Sequence, residues 1–327
     1  MKMIPLGSTD ITLSRMGLGT WAIGGGPAWN GDLDLQVCID TIIEAHRCGI
    51  NLIDTAPGYN FGNSEKIVGQ ALKKLPRNEI VVETKCGIVW EREGSLFNKV
   101  GERQLYKNLT PESIREEVDA SLQRLGIDSI DIYMTHWQSV EPCFTPIAET
   151  VDTLNALKKE GKIRSIGAAN VDAEHIREYV KHGELDIVQA KYSILDRALE
   201  TELLPLCQRH GIVVQVYSPL EQGLLTGTIT RDYVPGGARA NKVWFQRENM
   251  LRVIDMLERW QPLCAKYRCT IPALALAWIL KQSDLITLLS GATAPEQVRE
   301  NVDALTIALT DADSLLMREM AEALNNK

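Results

Sequence analysis

The sequence predicts an α/β protein, a (β/α)8 TIM barrel with an N-terminal β-hairpin and long active-site loops, and three observations lead there. Short β-branched runs alternate with amphipathic helical patterns along the chain. Eight such runs can be counted, the number that closes a parallel barrel through right-handed crossovers. No G-x-G-x-x-G turn opens a helix after an early strand, because Gly17-Leu18-Gly19 and Gly24-Gly25-Gly26 lack that spacing. The doubly wound alternative therefore has no phosphate loop. No composition shift marks a linker, so residues 1–327 are expected to form a single domain.

The hairpin comes first, with Ile4-Pro5-Leu6 and Ile11-Thr12-Leu13 flanking Gly7-Ser8-Thr9-Asp10. Barrel strands are expected at Met16–Thr20, Asn51–Asp54, Ile80–Lys85 and Ile130–Thr135. The other four fall at Ile163–Ala168, Ile187–Ala190, Ile212–Tyr217 and Leu285–Ser290. Asp34–Arg47 spaces Leu35, Cys38, Ile39, Ile42 and Ala45 three and four apart, with Gly49 as a stop. Thr110-Pro111-Glu112 combines a hydroxyl cap, a first-turn proline and an acid. It opens a helix through Ile114, Val118, Leu122 and Leu125 to Gly126. Further helices are expected over Ile147–Lys159, Asp172–His182, Leu199–His210 and Ile271–Lys281.

Three loops after strands look long: Cys86–Leu109, Trp137–Thr145 and Leu220–Asn249. The last joins glycines to Val243-Trp244-Phe245, the composition of a lid.

Charge narrows the function. A net charge of −8 opposes a nucleic-acid or anionic-membrane partner. No apolar run approaches the roughly 20 residues of a membrane span. The N-terminus does not read as a secretory leader. Seven Cys without C-x-x-C spacing read as reduced thiols, so a cytoplasmic location and no metal site are expected.

Asp54, Tyr59, Lys85 and His136 sit at or just past the ends of three strand runs, so a parallel barrel would gather them at one mouth. Each alone has an ordinary reading: a cap for Asp54, a surface charge for Lys85, a packed ring for Tyr59, a structural imidazole for His136. Together they suit moving a proton onto or off an oxygen. His46, His175, His182 and His210 lie on helical patterns and read as surface residues.

Leu52-Ile53-Asp54-Thr55-Ala56-Pro57-Gly58-Tyr59, followed by Gly62-Asn63-Ser64-Glu65, resembles the aldo-keto reductase signature. Glu83-Thr84-Lys85 and Asp131-Ile132-Tyr133-Met134-Thr135-His136-Trp137 resemble the next two blocks. Gly167-Ala168-Ala169-Asn170, Gln189-Ala190-Lys191-Tyr192 and Tyr217-Ser218-Pro219-Leu220 resemble the nicotinamide-binding blocks, and the order holds to about Asn301.

The resemblance implies an NAD(P)H-dependent oxidoreductase acting on a small carbonyl substrate such as methylglyoxal. Tyr59 would be the general acid, its pKa lowered from about 10 by Lys85. Asp54 would hold the ammonium, and a neutral His136 would orient the carbonyl. Asn170 and Gln189 would bind the carboxamide and Tyr217 would stack beneath the ring. Ser218 through Leu225, with Leu220 and Gly223, would offer N–H groups to the pyrophosphate. Trp21, Tyr59, Trp90 and Trp137 would wall the substrate pocket, with Trp244 closing it. Ala169 stands where the family usually has Ser, removing one hydroxyl contact.

NADP-dependent members place Lys or Arg against the 2′-phosphate, and this chain has Gly291, Ala292, Thr293 and Gln297 there. Arg299 is the cation nearby, on a helix opened by Pro295, and is expected to face away. NADH is therefore favoured over NADPH, with Gln297 and Asn301 contacting adenine or its ribose. The resemblance also admits an NADPH-preferring general aldehyde reductase, a nicotinamide-binding regulatory subunit with little turnover, and a homo-oligomer. A hydrolytic or isomerising barrel would need metal ligands or a carboxylate pair at the strand ends, and the sequence displays neither.

Overall fold

Eight parallel strands close on themselves in the computed structural model, which describes residues 2–29 and 31–324. Ahead of them, β1 (Met3–Pro5) and β2 (Thr12–Ser14) form the antiparallel hairpin, with Ile4 opposite Leu13. The first barrel strands are β3 (Met16–Gly19), β4 (Leu52–Asp54) and β5 (Val81–Cys86). A side sheet of β6 (Ile88–Val89), β7 (Ser95–Val100) and β8 (Arg103–Lys107) follows. The barrel resumes with β9 (Ile130–Thr135), β10 (Ile163–Ala169), β11 (Ile187–Lys191), β12 (Val213–Tyr217) and β13 (Ile286–Gly291). Closure is made where β13 pairs with β3, Leu289 lying opposite Gly17. A Cβ at Gly17 would come 2.9 Å from Leu289 Cδ2, so the missing side chain permits this seam.

Strand alternation sorts the core into two parts. Val82 packs outward under the helices, whereas Val81 packs inside the barrel. The hairpin residues Ile4, Leu6, Ile11 and Leu13 join Leu52, Val81, Ile187 and Val213 in that inner cluster and plug the N-terminal end of the barrel. A fully buried Leu there stabilises by roughly 1.5–3 kcal/mol.

The helical layer starts with α1 (Leu35–Arg47), α2 (Asn63–Leu72) and α3 (Pro111–Leu125). The Asp34 side chain accepts from the Val37 N–H and Thr110 Oγ1 from the Ser113 N–H, satisfying the exposed donors of α1 and α3. Gly126, in the left-handed region at φ 66°, ends α3. Next come α4 (Ile147–Lys159), α5 (Ala173–His182), α6 (Leu203–His210), α7 (Arg247–Glu258) and α8 (Gln261–Tyr267). The last are α9 (Ile271–Gln282), α10 (Pro295–Val302) and α11 (Asp311–Glu322).

Two expectations are corrected. The helix expected over Leu199–His210 starts at Leu203, because Pro205 is tolerated only in a first turn; Ala198–Glu200 forms a separate 3-10 turn. The segment Cys86–Leu109 carries the β6–β8–β7 sheet rather than a plain loop. Among the described residues no single helix is long and apolar enough to cross a membrane.

Candidate active site

The parallel strands deliver their C-terminal ends to one mouth. Asp54 closes β4, Lys85 is the penultimate residue of β5, and His136 directly follows β9. Tyr59 arrives on the turn between β4 and α2, fixed by its N–H donating to the Ala56 carbonyl at 3.1 Å. The Lys85 ammonium, fully buried, donates to the Asp54 carboxylate, to the Thr55 carbonyl at 3.0 Å and to the Tyr59 hydroxyl at 3.2 Å. The His136 ring stands edge-on to Tyr59, with centroids 5.8 Å apart. All four predicted residues therefore meet.

Burial and the Asp54 charge push the Tyr59 phenol above its ordinary 10, although Lys85 pulls it the other way. The expectation that Lys85 sets a lowered value is corrected: desolvation outweighs the ammonium. Burial alone would lower the Lys85 ammonium, yet Asp54, Tyr59 and Glu83 hold it above 10.5. Burial and the Lys85 charge keep the His136 imidazole well below 6.5, hence neutral. Its Nδ1 is buried with no partner, so a proton on Nε2 leaves the ring able to donate into the opening.

One layer deeper lies a polar cluster of which sequence reasoning had singled out only Gln189, and that as a cofactor ligand. Glu83, Gln189 and Gln215 face the barrel interior beneath the site, and all are buried. Gln189 Nε2 donates among Asp54 Oδ1 at 3.0 Å, Glu83 Oε1 at 2.8 Å and Gln215 Oε1 at 2.6 Å. Gln215 Nε2 donates to Glu83 Oε2 at 3.0 Å. A carboxyl pair, Asp54 and Glu83, thus exists although the sequence displayed none. Period-2 alternation held the signal, since Glu83 and Lys85 share a face. With its nitrogen committed below, Gln189 keeps its oxygen for a ligand above.

Above the tetrad opens a cavity of about 790 Å³. Trp21 and Trp29, 5.1 Å apart, and Phe97 and Trp137, 5.6 Å apart, wall its aromatic end. Asn170, Gln189, Tyr217, Ser218, Leu220 and Gly223 line its middle, and Gly291, Thr293, Gln297 and Asn301 its far end. Asn170 is preset, donating from Nδ2 to the His136 carbonyl at 2.8 Å and accepting from the Tyr217 hydroxyl at 2.7 Å. Thr293 donates its N–H to Gln297 Oε1 at 2.8 Å. Arg299 does face away, bound to Glu44 at 2.7 Å and Glu296 at 2.6 Å.

Lys85 lies beneath the cavity wall, and three residues predicted for the cofactor or substrate do not line the cavity. Trp90 packs edge-on against Phe61 at 5.5 Å and faces a small crevice with Arg92 and Arg124, because the β6–β8 pairing carries it off the mouth. Trp244 lies against the core within a 3-10 turn. Leu225 is fully buried, and its N–H donates to the Leu220 carbonyl at 3.1 Å. Glu221 and Gly223 likewise use their N–H groups inside this turn. Sequence reasoning missed Trp29, Glu300 and Arg239, all on the cavity wall. Arg239 donates to the Gln222 carbonyl at 2.8 Å and the Tyr233 hydroxyl at 2.7 Å, and a Cβ at Gly223 would sit 3.2 Å from its Nη2.

Comparison with known proteins agrees with this geometry. The NADH-specific methylglyoxal reductase of Escherichia coli (strain K12) is 86% identical over 324 residues, covering 99% of each chain. The aldo-keto reductase YhdN of Bacillus subtilis is 35% identical over 91% of this chain and 87% of its own. Among solved structures, the glycerol dehydrogenase of Gluconobacter oxydans superposes with a TM-score of 0.89 at 34% identity, covering 99% of this chain and 96% of its own. A Klebsiella pneumoniae aldo-keto reductase in complex with NADPH gives 0.73 at 26% identity, over 98% and 95%. The family pattern itself matches residues 15–322, from the strand that follows the hairpin to the last helix, and with the tetrad in place the chain belongs to the aldo/keto reductase family.

Proposed function

We propose that this protein reduces small aldehydes and ketones such as methylglyoxal to the alcohol, with NADH as reductant and Tyr59 as general acid. The observation that carries the reading is the Tyr59 hydroxyl, 3.2 Å from a buried ammonium, at the floor of an aromatic-walled cavity. The donor set fits a dinucleotide. Asn170, Gln189 and Tyr217 supply amide and ring contacts at the tetrad, Arg239 beside Gly223 offers a cation to the pyrophosphate, and Gln297, Glu300 and Asn301 offer polar contacts to the adenosine. When bound, the nicotinamide supplies the hydride.

Neutral His136 donates to the carbonyl oxygen from Nε2 and orients the carbon toward the ring. As charge develops on that oxygen, Tyr59 transfers its hydroxyl proton there, completing the alcohol. Lys85 stabilises the phenolate left behind, and Asp54 keeps the ammonium on that axis. The high pKa of Tyr59 suits an acid that stays protonated until an alkoxide, a far stronger base, forms beside it.

The near-identical Escherichia coli enzyme is named NADH-specific, and the far end of the cavity here has the same character. No Lys or Arg from the segment Gly291–Asn301 lines it, and Glu300 adds a negative charge. The decisive assay follows loss of reduced-nicotinamide absorbance with methylglyoxal, with NADH and NADPH in parallel. Turnover with NADH well above that with NADPH is expected; a clear NADPH preference refutes the cofactor assignment.

A further inference from the structure

Glu83 is a fully buried acid that the reaction above does not use. It sits beside Asp54 across the β4–β5 pairing and two residues before Lys85 on the same inward face. Gln189 Nε2 lies 3.0 Å from Asp54 Oδ1 and 2.8 Å from Glu83 Oε1, so both carboxyls crowd one amide nitrogen. The charged and titratable groups that face Glu83 are Asp54 on β4, Lys85 on β5 and Tyr59 above them. Of the other strands that touch it, β9 sets the apolar Ile132 opposite, and β11 and β12 contribute the uncharged amides of Gln189 and Gln215. Two carboxylates against one ammonium would leave a net negative charge buried in the barrel, an arrangement that loss of hydration strongly disfavours. One proton removes that charge. Asp54 touches the ammonium directly, which places the proton on Glu83.

We propose that Glu83 is a positioning residue: its neutral carboxyl donates a hydrogen bond to the Asp54 carboxylate and so fixes the Asp54–Lys85 pair against Tyr59. Burial and the Asp54 charge together hold the Glu83 carboxyl well above its usual range, consistent with a proton retained at neutral pH. Gln215 completes the arrangement by donating to the far Glu83 oxygen at 3.0 Å. With Oε2 receiving the Gln215 N–H, the proposed proton sits on Oε1, the oxygen that shares the Gln189 nitrogen with Asp54 Oδ1.

The test has a spectroscopic and a kinetic arm. Infrared difference spectra of the wild type minus Glu83→Gln at neutral pH should show the carbonyl stretch of a protonated carboxylic acid from Glu83, distinct from that of Glu117, which both proteins keep and which cancels in the difference. A wild type without that band overturns the proposal. In steady-state assays, Glu83→Leu should lower kcat about 10-fold, with the KM for cofactor little changed, because Asp54 loses its donor. Glu83→Gln, neutral and able to donate, should restore most of that loss with the wild-type pH profile. A shifted profile in Glu83→Gln means a charge was removed, and the proposal fails.

The kinetic arm rests on the reductase reading. A wild type that turns over no carbonyl sinks that reading, while the band, recorded without substrate, still decides Glu83. It also decides if Glu83→Leu does not fold.

Discussion

Lys85 donates to the Tyr59 hydroxyl across 3.2 Å, and yet the phenol beside this ammonium is harder to ionise than a phenol in water. The ammonium offsets only part of what burial and Asp54 impose. In the proposed reduction its main service comes after proton transfer, when the phenolate needs a counter-charge.

Tyr59→Phe removes the acid and little else, since the ring keeps its contacts. Carbonyl reduction should fall by about 10²–10⁴-fold. Cofactor affinity, followed by fluorescence titration, should stay near the wild-type value. Residual reduction within a few-fold of wild type rejects Tyr59 as the acid.

The pH profile follows from two directions. The proposed reduction needs Tyr59 protonated and His136 neutral, and their environments push the phenol above 10 and the imidazole well below 6.5. The kcat for reduction should therefore be flat between about pH 7 and pH 9, with its alkaline limb beyond that window. A limb centred inside the window contradicts the assignment of one of the two groups.

Cofactor choice should be reversible at Gly291. A Cβ there meets no heavy atom within 4 Å, so a longer side chain has room. The double change Gly291→Lys with Gln297→Arg should raise kcat/KM for NADPH about 10–100-fold, the worth of one or two charge-assisted hydrogen bonds. An unchanged ratio of NADPH to NADH efficiency argues that the adenosine lies elsewhere.

Glu117 offers a stability test outside the chemistry. Its carboxyl receives the Gly87 N–H at 3.0 Å and is pushed by burial from 4.5 to about 8. Between those values the folded chain keeps a proton that the unfolded chain releases, so stability declines as pH rises from 4.5 to about 8. Glu117→Gln should flatten that part of the Tm-against-pH curve. Thermal melts across the window check it, and an unaltered slope counts against a neutral Glu117.

The barrel and the tetrad were legible because both follow from strand periodicity. Runs such as Ile130–Thr135 show where a strand stops, and a parallel barrel sends every stop to one face. Loop side chains obey no such rule. Trp90 and Trp244 read as pocket walls from their loops, but the direction of each ring is set by neighbours distant in sequence, the β6–β8 pairing for Trp90 and the underlying core for Trp244. The side sheet escaped notice because β7 is mostly exposed and shows little alternation. Glu83 escaped for the opposite reason: a single acid in a buried strand has meaning only once Asp54 and Gln189 are seen around it.

The hairpin plug has a consequence for proton supply. In the proposed reduction each turnover leaves Tyr59 without its proton, and Ile4, Leu6, Ile11 and Leu13 form an apolar stopper beneath the polar layer. That apolar plug offers a proton no polar path to the tyrosine from below. The replacement proton comes in through the opening that admits the carbonyl, so refilling the acid and clearing the product share one doorway.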